Sequence, residues 1–232
     1  MEAIVLAGGL GTRLRDVVND VPKPMAPVQG RPFLSFVFDQ LVAAGFNSVI
    51  VAAGYRHEAI SSYFANDYRG LAVSYSVEGE PLGTGGAISL ACERSHEQHV
   101  FVLNGDTYLE LDFHAMLRAH ISRGAELTMA ICRVPDLTRY GAVDLRGDIV
   151  QVLAEKGHAG PGWINAGTYL LAPPFRARLQ QRTTFSLERD LLAPEIGRIR
   201  PLAFRTPGPF MDIGIPADYA TAQRLLSERR RP

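Results

Sequence analysis

The sequence predicts a single α/β domain, in which helices flank a mixed, mostly parallel central sheet. Short apolar runs alternate with segments of helical spacing through the first half of the chain, the pattern of parallel strands joined by crossover helices. The 232 residues suffice for one domain with a substantial core, and 47% of them are hydrophobic, as in ordinary globular enzymes. We find no linker, internal repeat or low-complexity tract, so residues 1–232 are predicted to fold as one unit.

The first half, residues 1–118, supplies the parallel part of the predicted sheet. Its predicted strands are Ala3–Ala7, Ser48–Ala53, Ala72–Val77 and His99–Leu103. The helices predicted between them are Phe33–Ala44, His57–Phe64 and Gly85–Glu93. Ligands of such sheets bind beyond the carboxyl ends of the strands, where both the opening loop and the LNGDTYL stretch fall.

The second half, residues 119–232, is richer in predicted strands and is expected to shape the substrate side of the same domain. Its predicted strands are Glu126–Cys132, Gly141–Leu145, Ile149–Glu155 and Ile164–Leu171, with a hairpin turn through Arg146, Gly147 and Asp148. A helix near Leu187–Ala193, a strand near Pro201–Arg205 and a helix over Ala217–Glu228 complete the prediction.

Composition disfavours several classes of protein. Lys plus Arg and Asp plus Glu both number 24, so the net charge is zero, whereas general nucleic-acid binders and membrane-surface proteins usually carry a basic excess. The two cysteines, Cys92 and Cys132, form no CxxC pattern and are expected to be reduced core thiols. With no signal-like N-terminus and no apolar run of membrane-spanning length, the protein is expected to be cytoplasmic.

A glycine-rich loop follows the first predicted strand at once. Residues 2–14 read EAIVLAGGLGTRL, so three glycines come directly before Thr12 and Arg13. A tight turn would account for the first two glycines alone. The dinucleotide fingerprint needs a glycine where Leu14 stands, and the Walker pattern is missing. The remaining interpretation is a loop whose backbone N–H groups converge on an anion, with Arg13 adding a forked cation.

The stretch VPKPMAPV, residues 21–28, comes soon after this loop. Two prolines flank Lys23 and restrict the backbone on both sides of it. A surface lysine is usually just solvent-exposed. A lysine on a stiffened segment beside an anion-binding loop is better explained as a fixed point charge for phosphate.

These motifs, with others in the same order, resemble the sugar-1-phosphate nucleotidyltransferases, also called nucleoside-diphosphate-sugar pyrophosphorylases. The resemblance covers nearly the whole chain. After GGxGTRL and PKP come EPLGTGGA (80–87), LNGD (103–106), YGAV (140–143), EK (155–156), NAGTYLL (165–171) and FMDIGIP (210–216). Within the family, MDIGIPADY and the chain length are most similar to the bacterial heptose-1-phosphate guanylyltransferases. The resemblance implies a Rossmann-like fold, with the first half mainly binding nucleotide and the second mainly sugar phosphate.

The implied reaction is attack of a sugar-1-phosphate oxygen on the α-phosphorus of a nucleoside triphosphate, with pyrophosphate leaving. The attacking oxygen is already anionic at neutral pH, so the site needs cations and in-line positioning rather than a general base. The catalytic residues are predicted to be Arg13, on the pyrophosphate, Lys23, on the phosphates being joined, and Asp106. The resemblance makes Asp106 and Asp212 ligands of Mg²⁺, an ion that takes one or two carboxylates plus phosphate oxygens.

The remaining site residues follow from the resemblance. Nucleotide-binding roles are implied for Leu6, Ala7, Gly8, Gly9, Gly11, Thr12, Arg13, Glu78, Glu80, Gly83, Thr84 and Gly105. Sugar-phosphate-binding roles are implied for Lys23, Tyr140, Gly141, Glu155, Lys156, Asn165 and Thr168. Gly83, Gly85 and Gly86 would let the backbone approach a flat base, or would simply form a helix-entry turn.

GTP is the favoured triphosphate, and a heptose 1-phosphate is the favoured sugar. Guanine presents adjacent N–H donors that an acceptor-only carboxylate, Glu78 or Glu80, would match. D-glycero-α-D-manno-heptose 1-phosphate would give a GDP-heptose for a surface polysaccharide or glycoprotein. Mannose-1-phosphate guanylyltransferase, an amino-sugar-1-phosphate uridylyltransferase and a non-catalytic nucleotide-sugar-sensing subunit remain as alternatives. No nucleic-acid or membrane partner is expected, and the protein is predicted to be a monomer or a small homo-oligomer such as a dimer.

Overall fold

A computed structural model describes residues 1–9, 21–154, 157 and 159–228 of the chain. Its strands are β1 (Glu2–Leu6), β2 (Pro27–Val28), β3 (Arg31–Pro32), β4 (Ser48–Ala53), β5 (Asp67–Tyr68), β6 (Leu71–Val77), β7 (Val100–Asn104), β8 (Thr107–Leu109), β9 (Leu127–Val134), β10 (Val143–Arg146), β11 (Ile149–Leu153), β12 (Gly162–Leu171), β13 (Leu202–Arg205) and β14 (Phe210–Asp212). Its α-helices are α1 (Leu34–Ala43), α2 (His57–Phe64), α3 (Gly83–Cys92), α4 (Phe113–Ser122), α5 (Pro173–Leu179), α6 (Ala193–Ile199) and α7 (Pro216–Glu228). A 3₁₀ turn covers Lys23–Met25 and a π-helical segment covers Leu187–Leu192.

Ten of the described strands form one sheet, in the order β10-β11-β13-β9-β12-β7-β1-β4-β6-β5. β1 pairs in parallel with β4 and β7, β4 with β6, and β9 with β13, while the other neighbouring pairs are antiparallel. Seven strands therefore run in one direction, and only β5, β11 and β12 of those described oppose them. The predicted mixed, mostly parallel sheet flanked by helices is confirmed.

Hydrophobic side chains on the two faces of the sheet form two separate cores. Along β1, Ala3 and Val5 point to one face and Ile4 to the other, because successive strand residues alternate. Buried residues of α1, α2, α4 and α7 pack on the first face, and those of α3, α5 and α6 pack on the second. Every strand at the centre of the sheet is thus covered on both sides, which explains why these strands are mostly apolar.

The sequence reading missed several short elements of the second half and its border. Asp112 directly precedes α4, and its carboxylate caps the helix by accepting a hydrogen bond from the Ala115 N–H at 2.8 Å. The predicted boundary between the halves, at residue 118, falls inside this helix. α5 opens with Pro173 and Pro174, residues that end helices elsewhere but fit the first helical turn. The predicted helix near Leu187–Ala193 is the π-helical segment, which continues directly into α6.

Four parallel strands end at the same edge of the sheet. Leu6 at the end of β1 pairs with Asn104 at the end of β7, and Ala53 of β4 pairs with Val77 of β6. Backbone hydrogen bonds continue this alignment one residue further, for example from the Gly105 N–H to the Leu6 carbonyl at 2.8 Å. Side chains that follow these strands are therefore brought together although they are far apart in the sequence.

Cys92 and Cys132 are buried free thiols, as predicted. Burial raises the pKa of Cys92 to about 11 and that of Cys132 to about 12, so both thiols stay protonated and unreactive near neutral pH. None of the helices in the described ranges combines the length and the apolar character that a membrane span requires.

Candidate active site

A cleft of about 770 Å³ opens at the carboxyl ends of the parallel strands. It is lined by Leu6, Ala7, Gly8, Gly9, Lys23, Pro24, Ala52, Gly54, Tyr55, Glu78, Gly79, Glu80, Pro81, Gly83, Thr84, Ala87, Asn104, Asp106 and Gly214. Of the described residues predicted to bind nucleotide, all except Gly105 lie here. Gly105 instead brings β1 and β7 together, because a Cβ on it would lie 2.7 Å from the Leu6 carbonyl oxygen.

The segment that carries Lys23 is fixed from two sides. Its 3₁₀ turn buries Pro24 and Met25, and Met25 packs in the core. The β2–β3 hairpin follows, and the side chain of Gln223 on α7 donates a hydrogen bond to the Pro27 carbonyl at 2.7 Å. The side-chain oxygen of Gln223 accepts from the Gln29 N–H at 3.0 Å. The backbone around Lys23 is therefore held by both the core and the last helix.

Lys23 brings together the two carboxylates predicted as metal ligands. Its Nζ donates to Asp106 Oδ2 at 2.5 Å and to Asp212 Oδ1 at 3.3 Å. The small β8–β14 sheet causes this convergence, since Thr107 pairs with Asp212 and the Ile213 N–H donates to the Asp106 carbonyl. All three side chains are partly buried, with exposed fractions of 14%, 33% and 30% for Lys23, Asp106 and Asp212.

The donor set at this point fits a magnesium ion. Two carboxylates from different elements converge on one position, and Mg²⁺ binds proteins through one or two carboxylates while its other ligands are phosphate oxygens and water. No cluster of three or more His, Cys, Asp or Glu side chains suited to a metal occurs among residues 1–9, 21–154, 157 and 159–228, so an all-protein cage is not formed there.

Glu78 lies against bare backbone at the ends of β1 and β4. A Cβ on Gly8 would lie 2.8 Å from Glu78 Oε1, and a Cβ on Gly54 would lie 2.7 Å from the same atom. Glu78 Oε2 accepts a hydrogen bond from the Leu82 N–H at 3.0 Å. One carboxylate oxygen of Glu78 therefore binds the loop that precedes α3. Glu80, in contrast, is exposed on the cleft, and its carboxylate makes no hydrogen bond or ion pair with the described residues.

The glycines at the start of α3 have a different partner from the predicted one. They approach the segment 183–185 rather than leaving their backbone open to a base. A Cβ on Gly85 would lie 2.1 Å from the Phe185 ring, and one on Gly86 would lie 2.2 Å from the Thr183 carbonyl oxygen. Gly83, with φ of +72°, has the Phe185 carbonyl oxygen 2.5 Å from the position of a Cβ. The alternative, a helix-entry turn, describes these glycines better, although Gly83 also borders the cleft.

Tyr140 and Gly141, predicted to bind the sugar phosphate, lie between β9 and β10. The Tyr140 ring packs edge-on against Phe210, the first residue of β14, with ring centres 5.7 Å apart. Gly141 approaches β11 closely, since a Cβ on it would lie 2.6 Å from the Ala154 carbonyl oxygen. Its predicted role was close approach of backbone to the sugar, but the close approach in the structure is to protein.

Asn165 and Thr168, on β12, have unequal access to a ligand. The Asn165 side chain is half-buried, donates to the Tyr169 hydroxyl at 2.5 Å and accepts from the Gly167 N–H at 3.0 Å. Thr168 is only 4% exposed, paired with Leu103 in the sheet. The predicted hydroxyl contact of Thr168 with a sugar therefore has very little accessible surface to support it.

Five predicted site residues lie outside the described residues. They are Gly11, Thr12, Arg13, Glu155 and Lys156. Their predicted roles stay as expected from the sequence.

Three residues near the cleft were missed. Asn104 ends β7 inside the LNGD motif and packs against Gly167, where a Cβ would lie 2.4 Å from the Asn104 amide nitrogen. Tyr55 lines the cleft with 44% of its surface exposed, unusual for a large aromatic residue beside a buried strand. Glu188 contacts Thr84 and Tyr169 from the π-helical segment. Asn104 and Tyr55 stand at or just after the ends of strands, a position that could have indicated a place in the cleft. No local sequence pattern indicates Glu188.

Comparison with known proteins decides the family. The model of the nucleotidyl transferase family matches residues 2–229. The chain belongs to this family. The family predicted from the sequence motifs is therefore confirmed, and the cleft at the strand ends is the candidate active site of a nucleotidyltransferase.

Two curated relatives and one solved structure match this nucleotidyltransferase over nearly its whole length. A D-glycero-alpha-D-manno-heptose 1-phosphate guanylyltransferase from Aneurinibacillus thermoaerophilus is 43% identical over 97% of this chain and 98% of the relative. The enzyme of the same name from Campylobacter jejuni is 38% identical over 94% of this chain and 97% of the relative. The crystal structure of HddC from Yersinia pseudotuberculosis complexed with GMP-PN matches with a TM-score of 0.86 and 36% identity, covering 97% of this chain and 99% of HddC.

Proposed function

We propose that this chain transfers GMP from GTP to D-glycero-α-D-manno-heptose 1-phosphate and releases pyrophosphate. The names of the curated relatives at 43% and 38% identity support this sugar and this nucleotide. The observation in the structure that carries the proposal is the meeting of Lys23, Asp106 and Asp212 at the cleft. Phosphoryl-transfer sites need this combination of a fixed cation and acidic metal ligands where two anionic substrates must meet.

The chemistry requires one bond to form and one to break. An oxygen of the sugar phosphate attacks the α-phosphorus of GTP, and the bond between the α-phosphorus and the bridging oxygen breaks as pyrophosphate leaves. Lys23 would neutralise the phosphates being joined, and the backbone around Gly8 and Gly9 would lie along the triphosphate. Arg13 is proposed to meet the leaving pyrophosphate, where negative charge increases in the transition state.

Asp106 and Asp212 are proposed to hold Mg²⁺. Such an ion would supply positive charge that neutralises the phosphates of the substrates. The chain's own contribution is to fix the two carboxylates: Asp212 Oδ1 accepts from the Gly214 N–H at 2.7 Å, and the Thr107 hydroxyl donates to Asp106 Oδ1 at 3.3 Å. Both carboxylates are thus oriented by residues next to them in the chain before substrates arrive.

The use of lysine supports the proposed roles of the cations. Of the 24 basic residues in the chain, only Lys23 and Lys156 are lysines, and the other 22 are arginines. Both lysines stand at positions proposed to meet phosphate. Lysine provides a compact, strongly hydrated point charge there, whereas arginine provides a planar fork.

Pyrophosphate release across a grid of substrates tests this function. The grid combines GTP, ATP, UTP and CTP with heptose, mannose and amino-sugar 1-phosphates in the presence of Mg²⁺. We expect the highest kcat/KM for GTP with the heptose 1-phosphate. Higher turnover with mannose 1-phosphate would favour the alternative guanylyltransferase, a name carried by curated relatives at 32–36% identity. Binding without turnover for every pair would favour a non-catalytic sensing subunit.

Changing Glu80 to Gln is expected to reduce the preference for GTP. The Glu80 carboxylate is exposed on the cleft, where it could accept from both adjacent guanine donors, while a glutamine amide accepts from one and opposes the other. The ratio of kcat/KM for GTP over UTP should fall by a factor that corresponds to about 1–3 kcal/mol, the cost of leaving one donor of the bound base without a hydrogen bond.

Two variants make this test of base recognition specific. Glu93→Gln, at the other end of α3, is the matched control and should leave the ratio unchanged. Glu78→Ala should lower activity with all triphosphates together, because it removes the acceptor that holds the Leu82 N–H of the loop. A flat ratio for Glu80→Gln would assign base recognition to other groups of the cleft.

A further inference from the structure

A line of hydrogen bonds connects the two sides of the proposed active site beneath the cleft. The Thr84 hydroxyl donates to Glu188 Oε2 at 3.1 Å. The Tyr169 hydroxyl donates to Glu188 Oε1 at 2.7 Å and accepts from the Asn165 amide at 2.5 Å. Thr84 lies on α3 beside the proposed nucleotide side, and Asn165 lies on β12 beside the proposed sugar side, so Glu188 is the link between them.

The middle of this line is fully buried. Tyr169 is 0% exposed and is among the largest fully buried side chains of the described residues. Burial first, and then the charge of Glu188, raise the pKa of Tyr169 well above its usual value of 10. The phenol therefore stays protonated and donates to Glu188. Removal of the Glu188 acceptor would leave this buried donor unpaired and lower the stability of the folded protein.

Both ends of the line are held in place by backbone groups. The Leu187 N–H donates to the Thr84 hydroxyl oxygen at 2.8 Å, so this hydroxyl donates and accepts at once. At the other end the Gly167 N–H donates to Asn165 Oδ1 at 3.0 Å. Backbone N–H groups thus orient the side chains of Thr84 and Asn165. A displacement of either side chain changes the hydrogen bond to the next group of the line.

The backbone of the same two segments is also joined. The Gly85 N–H donates to the Phe185 carbonyl at 2.9 Å, and the Phe185 N–H donates to the Leu82 carbonyl at 2.9 Å. With the Phe185 ring packed where a side chain on Gly85 would be, the start of α3 cannot shift unless residues 185–188 shift with it.

We propose that Glu188 is a positioning residue that couples the two substrate sites, so that nucleotide bound beside Thr84 orders Asn165 for the sugar phosphate. This inference rests on the proposed function, which places a triphosphate and a sugar phosphate on the two sides of the cleft. Coupling of this kind is a change in the affinity for one ligand when the other is bound, and it acts equally in both directions.

Calorimetric binding measures the coupling directly. The Kd of the sugar 1-phosphate is determined with and without saturating α,β-methylene GTP and Mg²⁺, and the ratio of the two Kd values is the coupling factor. We expect a factor above about five in the unmodified protein, within the usual range for coupled sites. Glu188→Gln should bring the factor close to one, because an amide group cannot accept from both Thr84 and Tyr169.

Further variants separate coupling from loss of folding. Tyr169→Phe keeps the buried ring and removes the link, so it should abolish coupling to the same extent. The double variant should then be no worse than either single one, as expected for two members of one line. Thr84→Ser keeps the hydroxyl and should retain the coupling factor that Thr84→Val loses, a comparison that leaves the buried residues intact.

Glu195→Gln is the matched control. It makes the same chemical change on the adjoining helix α6, where Glu195 pairs with Arg182 at 3.0 Å and has no contact with the line. Its coupling factor should equal that of the unmodified protein. A coupling factor of one in the unmodified protein, or an unchanged factor in folded Glu188→Gln, would overturn the proposal.

The experiment also distinguishes this proposal from the function on which it rests. The coupling factor is measured with whichever triphosphate and sugar phosphate give turnover in the substrate grid, using the methylene analogue of that triphosphate. If another pair replaces GTP and heptose 1-phosphate, the proposed substrates fail and the role of Glu188 is still tested. If no pair binds together in this cleft, both proposals fail.

Discussion

Asp106→Asn is expected to lower kcat by about 10²–10³-fold, the size of effect seen when one electrostatic contact to the transition state is removed. The amide has nearly the shape of the carboxylate but no charge, so it cannot neutralise a divalent cation or pair with Lys23. Asp212→Asn should have a similar effect, because the carboxylate of Asp212 also accepts a hydrogen bond from Lys23 Nζ. Initial rates at several Mg²⁺ concentrations measure both variants.

Asp144→Asn provides the matched control for both variants. Asp144 lies on β10, at the far edge of the sheet from the cleft, so the same substitution there should leave kcat unchanged. Circular dichroism and thermal unfolding establish that each variant is folded. Near-normal kcat for both Asp106→Asn and Asp212→Asn at saturating Mg²⁺ would contradict their proposed role as a pair of metal ligands.

The sheet and the position of the cleft could be predicted because their signals are local. The run 49–53, for example, is apolar and buried at every position, which is typical of strands covered on both faces. Loops after parallel strands meet at one edge of the sheet whatever their sequence, so the LNGD motif was correctly placed there. The helix α5 was missed because its first turn contains Pro173 and Pro174, a residue type that ends helices when it stands further along them.

The convergence of charges could not be derived from spacing. Lys23 is 83 residues from Asp106 and 189 residues from Asp212 along the chain. They meet through β8 and β14, strands of three residues each that carry no detectable periodicity. The roles of these residues came from the motifs of the family, whereas the structure supplies the contacts.

Glycine illustrates a second limit of sequence reasoning. A glycine indicates that something approaches the backbone closely, but it does not indicate what. At Gly85 and Gly86 the neighbour is the segment 183–185, about a hundred residues away in sequence, rather than a base. The contact of Glu188 with Thr84 could not be predicted either, because the two residues are 104 positions apart in the sequence. The π-helical segment that carries Glu188 has no sequence pattern of its own.

Lys23→Ala is expected to lower kcat strongly, by about 10²–10³-fold, while it increases the affinity for Mg²⁺. Loss of kcat follows because the charge that would neutralise the joined phosphates is gone. Tighter metal binding follows because Asp106 and Asp212 lose the cation that now pairs with both of them. Opposite changes in kcat and metal affinity are a signature that simple unfolding of the site would not produce.

Titration of Mg²⁺ in rate assays and by calorimetry measures both quantities for a set of three variants. Lys23→Arg keeps a charge and should recover only part of kcat, since a planar fork on a segment held by Pro24 and α7 does not superpose on a compact ammonium group. Lys156→Ala, the other lysine variant, should raise the KM for the sugar phosphate with the Mg²⁺ affinity unchanged. If Lys23→Ala binds Mg²⁺ more weakly than the unmodified protein, Lys23 does not compete with the ion for these carboxylates, and its contribution is to hold Asp106 and Asp212 in place.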